Sequence, residues 1–357
     1  MLEIALNSSG IGAKLLFLDL SSEITSLNQI TDITVCLDEQ CAVPLYSYVA
    51  LANNSLTNTV IYTNVPFPQP AKLYVRKSNL GQTYTGMSSW VAQQLGLTNW
   101  NDTGSQVFPY YFSFAGSIPS AFTTAYNQTN PTNSQYYTTF NPGNAITTSS
   151  TYGVNYMLEL LYIVTSGTSG FFTFGWGSAN ATNTFFINNY GQLTYGYTSS
   201  GIAYEMQYTG VSPFYNIYLV NGTSVSQALL STNQNLVAIT ILGNNSNLYY
   251  YELQPTYTNY QTQPSQPTQT PANPYSSPAA LNNTSTNLTI GSGGITVQVY
   301  AMWLRQMPIA SHLPGYLATP AVGTYVTSMP SDPYYYNRSV ISLVPTSGIQ
   351  FGVALPP

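Results

Sequence analysis

Residues 295–304, ITVQVYAMWL, alternate along the chain: Ile295, Val297, Val299, Ala301 and Trp303 fall on one face, and Thr296, Gln298 and Tyr300 on the other. Period two marks a half-buried strand, whereas an amphipathic helix repeats every three to four residues. NYMLELLYIV (155–164), FFTFGWG (171–177), YNIYLV (215–220) and NLVAITIL (235–242) are further strand candidates, rich in β-branched and aromatic residues and bounded by Gly, Asn or Ser. Short strands punctuated by turn residues pack as sandwiches or barrels, so the expected fold class is all-β, with tandem β-sandwich or jelly-roll domains. SSWVAQQLGL (88–97) predicts one short helix, with a Ser cap and Gly96 as its stop.

Such a fold needs a soluble surface, and charge does not supply it. Only 5% of the 357 residues are charged, against about 25% in ordinary globular domains. Asn, Gln, Ser, Thr and 32 Tyr take over that role, and their side chains are neutral from acid to mildly alkaline pH. With six Lys and Arg, a chain whose carboxylates are protonated in strong acid escapes the self-repulsion that unfolds charge-rich proteins. This suits an acidic exterior. A net charge of -5 with scattered bases argues against a nucleic-acid partner, which requires clustered cations.

N-x-S/T sequons begin at Asn7, Asn53, Asn101, Asn127, Asn180, Asn221, Asn244, Asn282, Asn283, Asn287 and Asn337, a spread that fits a glycosylated outer surface. Met1 opens no basic-then-apolar leader, and no stretch approaches the roughly 20 apolar residues of a membrane helix. The expectation is an extracellular protein without membrane insertion, its leader removed or its exit made with a released particle.

Residues 254–289 are rich in Pro, Gln, Thr, Ser and Asn and predict an extended loop within a domain, with an interdomain linker as the alternative. The expected organisation is a small β-sandwich over 1–84, a connector with the short helix over 85–104, a jelly roll over 105–320 containing the Pro-rich loop, and a C-terminal β extension over 321–357.

Two stretches carry a family resemblance. Residues 2–80 hold LEIALNSSG, ITDITVCLDEQCAVPLYSYV and NTVIYTNVPFPQPAKLYVRKSN, with Pro44, Leu45, Tyr46, Val65, Pro66, Leu73, Tyr74 and Asn79 at the pattern positions. This resembles the small β-sandwich of the extracellular DUF2341 family of archaea and bacteria, with Pro44 and Leu45 in reversed order. In that family a concanavalin-like jelly roll often follows, ending in a strand with Trp and Arg and a Pro-rich exit. YAMWLRQMPIASHLPGYLATP, with Trp303, Arg305, Pro308, Gly315 and Pro320, looks like that ending, although Leu317 departs from it. The resemblance implies likeness to surface and virion proteins of thermoacidophilic archaea. Their partners would be other copies or other structural proteins of one assembly, with host or cell-surface glycans as a further class.

Resemblance and spacing together place CLDEQC (36–41) in a hairpin turn, where Cys36 and Cys41 are expected to form a disulfide; free thiols are the alternative. A metal centre lacks ligands, since the chain has one His, His312, far from Asp38 and Glu39. Redox C-x-x-C motifs open helices, which this stretch does not. The enzymatic alternative is glycoside hydrolysis, for which two carboxylates suffice. Glu159, Glu205 and Glu252 lie on or beside predicted strands, and Glu159 shares a face with Met157, Leu161 and Ile163. Protonated, hydrogen-bonded carboxyls inside the fold are the competing account. His312 has no G-x-S-x-G partner, and Asp102 in NDTGS has no second copy to make an acid-protease pair. YYTTF, LYYYEL and PYYYNR are read as packing or interface residues in preference to sugar platforms. No catalytic, cofactor or metal site is assigned. The expected function is a non-enzymatic building block or attachment protein on an archaeal virion or cell surface, with a glycan-binding module and a secreted acid-stable hydrolase as alternatives.

Overall fold

A computed structural model of the chain describes residues 1–5, 12–57, 59–66, 72–153, 156–167, 169–194, 201–208, 215–221, 224–230, 237–245, 247–253 and 285–306; across 215–253 it gives the strand backbones. His312, Asn337, PYYYNR and the C-terminal extension lie outside the described residues, as do Asn7, Asn282 and Asn283. The chain divides into two compact units at Tyr111/Phe112.

The first unit is built from β1 (Leu2–Ala5), β2 (Gly12–Leu18), β3 (Ile33–Cys36), β4 (Pro44–Leu45), β5 (Ser47–Ala52), β6 (Thr59–Val65), β7 (Lys72–Lys77) and β8 (Thr85–Met87). They form two four-stranded sheets, β1-β7-β3-β4 and β2-β6-β5-β8. The stretch AVPLYSYV is divided between them. β4 pairs with β3, and after Tyr46 the chain enters β5 in the other sheet. Every residue of β5 is buried, which follows from cover on both faces. Contacts with α2 (Ser89–Gln94) and α3 (Gly104–Val107) contribute to that cover.

The helix predicted from SSWVAQQLGL is α2. Ser88 Oγ accepts from Val91 N at 3.2 Å, and Gly96 turns the chain out at φ +65°. The segment expected as a connector, 85–104, belongs instead to the first unit. β8 pairs in parallel with β5, and Trp90, Val91 and Ala92 are buried. Nor is this helix single: α1 (Gly81–Tyr84), α3 and a 3-10 turn at Leu27–Asp32 accompany it.

The second unit follows β9 (Tyr110–Ser113) and is almost wholly antiparallel strand: β10 (Phe122–Thr124), β11 (Thr132–Asn133), β12 (Thr138–Phe140), β13 (Ala145–Thr148), β14 (Tyr152–Gly153), β15 (Tyr156–Gly167), β16 (Gly170–Trp176), β17 (Ile202–Tyr208), β18 (Tyr215–Asn221), β19 (Ser224–Leu230), β20 (Val237–Asn245), β21 (Asn247–Leu253), β22 (Ser285–Thr286), β23 (Leu288–Ser292) and β24 (Ile295–Gln306). Two sheets, β10-β13-β23-β16-β17-β18-β19 and β11-β12-β24-β15-β20-β21, form a jelly-roll sandwich. The predicted strands at 155–164, 171–177, 215–220 and 235–242 are β15, β16, β18 and β20. The Pro-rich stretch gives way to strand earlier than composition suggested, since β22 starts at Ser285 and Leu288 is fully buried.

Between the sheets lies one core that includes Leu158, Leu160, Tyr162 and Val164 of β15, Phe172, Phe174 and Trp176 of β16, and Tyr204 and Met206 of β17. The hydroxyls of Tyr162 and Tyr204 meet inside it at 3.3 Å. β24 corrects the simple alternation read from its sequence. Tyr162 pairs with Val299 and Leu161 with Ala301, so Tyr300 is an extra residue, a β-bulge. Ile295, Val297 and Val299 enter the core before it, and Met302 and Leu304 after it. Ala301 and Trp303 therefore pass to the opposite face.

Candidate functional site

The bulge assembles a buried polar cluster in the second unit. On the face of the β15/β24 pair turned away from the core, Glu159 stands opposite Trp303, and Met157 opposite Arg305. Trp303 Nε1 donates to Glu159 Oε2 at 2.7 Å, and Arg305 Nε donates to Glu159 Oε1. Glu159 and Trp303 are 0% exposed and Arg305 1%. The protonated carboxyl expected here is instead a carboxylate in a buried ion pair, because two obligate donors converge on it. Sequence reasoning missed this partnership, which spans 146 residues.

Glu205 is also fully buried, but on the other sheet. Its neighbours Tyr204 and Met206 enter the core, so Glu205 projects from the outer face of β17, where Gln207 Nε2 donates to Oε1 at 2.8 Å. Glu159 and Glu205 thus point away from each other across a sandwich whose sheets are about 10 Å apart. A hydrolytic pair needs carboxyls about 5–5.5 Å or 6.5–9.5 Å apart over one bond. The two do not form such a pair. Glu252 lies on β21 opposite Thr240.

In the first unit, Cys36 and Cys41 are joined, their Cα atoms 5.1 Å apart. Asp38, between them, is a turn residue. Its Oδ1 accepts from Ala42 N at 3.0 Å and its Oδ2 from Val43 N at 2.9 Å. These backbone donors, Ala42 first, hold its pKa below the ordinary value. Arg76 Nη1 donates to Glu39 O at 3.0 Å. Among the described residues no group of three His, Cys, Asp or Glu is placed to hold a metal ion. Asp102 is also committed: Oδ1 accepts from Gly104 N at 3.0 Å, and Oδ2 from Tyr111 Oη at 2.8 Å. Tyr111 Oη lies 3.0 Å from Tyr48 Oη. Burial, with the charge of Asp102 adding to it, raises both tyrosines well above the usual value of 10.0.

The sequons divide by exposure. Asn101, Asn127 and Asn180 are exposed and Asn53 is half-buried. Asn287 is buried, its Nδ2 donating to Thr148 O at 2.6 Å, which removes it as an outer-surface site in the fold. Asn221 and Asn244 lie within β18 and β20. Of the tyrosine runs, YYTTF places Tyr137 edge-on to Tyr300 at 5.5 Å.

No family model matches this chain, so the resemblance to the DUF2341 sandwich stays one of short motifs. The chain is 37% identical over 110 residues to Uncharacterized protein 562 of Sulfolobus islandicus rod-shaped virus 1. That match takes in 28% of this chain and 18% of the viral protein. Solved structures similar in part include a Bacillus licheniformis β-glucanase (TM-score 0.33, 7% identity, 55% of this chain and 97% of that one). Others are a pseudo-β-1,3-glucanase of Mycobacterium tuberculosis (0.34, 10%, 56% and 99%) and the Emp46p carbohydrate recognition domain (0.35, 9%, 56% and 97%). At these scores the likeness says nothing of chemistry. Among the described residues no helix is long and apolar enough to cross a membrane.

Proposed function

We propose that this chain is a non-enzymatic structural or attachment protein on the exterior of an archaeal virion or archaeal cell surface. The observation that carries the reading is the placement of Glu159 and Glu205 on opposite outer faces, each bound to neighbours of its own sheet. Partial sequence identity to a protein of an archaeal virus supports the setting. A disulfide in a short turn supports an oxidising exterior. Asn101 and Asn180 are exposed sequons that would carry the glycans of such a surface. The partners are other copies of the chain or neighbouring structural proteins, with glycans as the attachment target. Negative-stain imaging of particles from the native source, with antibody against this chain, tests it. Label on a regular surface assembly is expected; label confined to free, unassembled protein overturns the reading.

A further inference from the structure

Residues 177–194, after β16, fold onto the outer face of its sheet and make a second small core there. Phe185, Phe186 and Ile187 are fully buried with Ala125, Ala145, Ala179 and Ala203, the two Phe rings edge to face at 4.9 Å. Two surface turns are braced on it. Gln128 Nε2 donates to Tyr126 O at 3.3 Å and to Gly191 O at 3.1 Å, so one amide ties the first turn to the second. Asn188 Oδ1 accepts from Tyr190 N at 2.9 Å and Gln192 N at 3.0 Å. Gly191, at φ +73°, leaves room for Asn127, whose Nδ2 would stand 2.6 Å from a Cβ there.

On these fixed turns Tyr190 is 78% exposed, far more than any other large apolar residue described, and Tyr126 is 40% exposed. Asn127 and Asn189 are exposed beside them. A rigid turn that holds an aromatic ring in water works against the general drive to bury apolar surface, so the ring is of no use to the fold. Residues 112–153 and 169–194 contain no Asp, Glu, Lys or Arg, so an ionic partner finds nothing to pair with. What remains is a planar amphipathic ring, a second ring and free amides on a preorganised scaffold. A sugar complements this set, with its apolar C–H face against a ring and its hydroxyls on the amides.

We infer that the Tyr126/Tyr190 surface is a binding site for neutral carbohydrate. This deepens the attachment reading and rests on it. The site needs Asn127 unmodified, although that residue opens a sequon, because a glycan there would cover it.

The test is isothermal titration of the full chain, made in a host without N-glycosylation. Cellohexaose, laminarihexaose and mannohexaose serve as neutral probes, and oligogalacturonate as an anionic one. At least one neutral probe is expected to bind and the anionic one not. Tyr190→Ala should weaken binding about tenfold, and Tyr46→Ala, at an exposed ring of the first unit, should leave it unchanged. The inference is overturned if no neutral probe binds up to its solubility limit, or if Tyr190→Ala binds as tightly as the parent. Loss of self-association in place of sugar binding overturns it too, and so does a glycan found on Asn127 of native protein. Cleavage of a probe counts against the non-enzymatic function alone; weaker binding by Tyr190→Ala still decides the site.

Discussion

At Asp38 both carboxylate oxygens are occupied by backbone N–H groups of one turn, and its pKa is lowered by them. The sign follows: this contribution is present above the unfolded carboxylate pKa and is lost as pH falls through the lowered one. Something else must hold the turn in acid, and the Cys36–Cys41 bond does so at any pH. Cys36→Ser with Cys41→Ser should cost about 2 kcal/mol in chemical denaturation, since the closed loop is short. At Asn287 the buried amide is needed by Thr148 O. Peptide mapping of native protein should find Asn287 unmodified and Asn180 carrying sugar. A glycan on Asn287 would mean that this part of the fold is wrong.

Among the elements, what was legible in the sequence is what local rules govern. Ser88 and Gly96 mark the ends of α2 because capping and positive φ are properties of single residues. Runs rich in β-branched and aromatic residues between turn formers mark β15, β16, β18 and β20, because those preferences belong to single residues and their neighbours. The bulge at Tyr300 carries no such mark: neither Gly nor Pro stands there, and Tyr300, Ala301 and Trp303 all suit a strand. It is set by pairing with β15, and it sends Trp303 and Arg305 to Glu159, a contact that no local pattern encodes. The β16/β17 pair shows a similar dependence on a distant backbone. A Cβ on Gly175 would lie 2.0 Å from Ile202 O. Gly175→Ala is therefore expected to destabilise the second unit by about 3 kcal/mol, read from urea midpoints at an unchanged m value.

Across the whole molecule, pH bears differently on acid and alkaline sides. Six Lys and Arg give little self-repulsion once carboxylates are protonated. On the alkaline side, the raised pKa values of Tyr48 and Tyr111 make a contribution that is present below about pH 10, the unfolded value. It is lost as pH rises toward the folded values. Thermal melts should therefore fall steeply above that point, and tyrosinate absorbance should show a group of tyrosines that ionises only with unfolding.

The central claim is that Glu159 is held for structure and does no chemistry. Breaking a buried ion pair by removing one partner strands the other charge, at a cost of about 3–5 kcal/mol. A carboxylate kept for catalysis commonly weakens the fold that holds it, so its removal leaves stability unchanged or raises it. Equilibrium denaturation of Glu159→Gln at neutral pH separates the two most directly. The account predicts a loss of about 3–5 kcal/mol; a variant as stable as the parent, or more so, would contradict it.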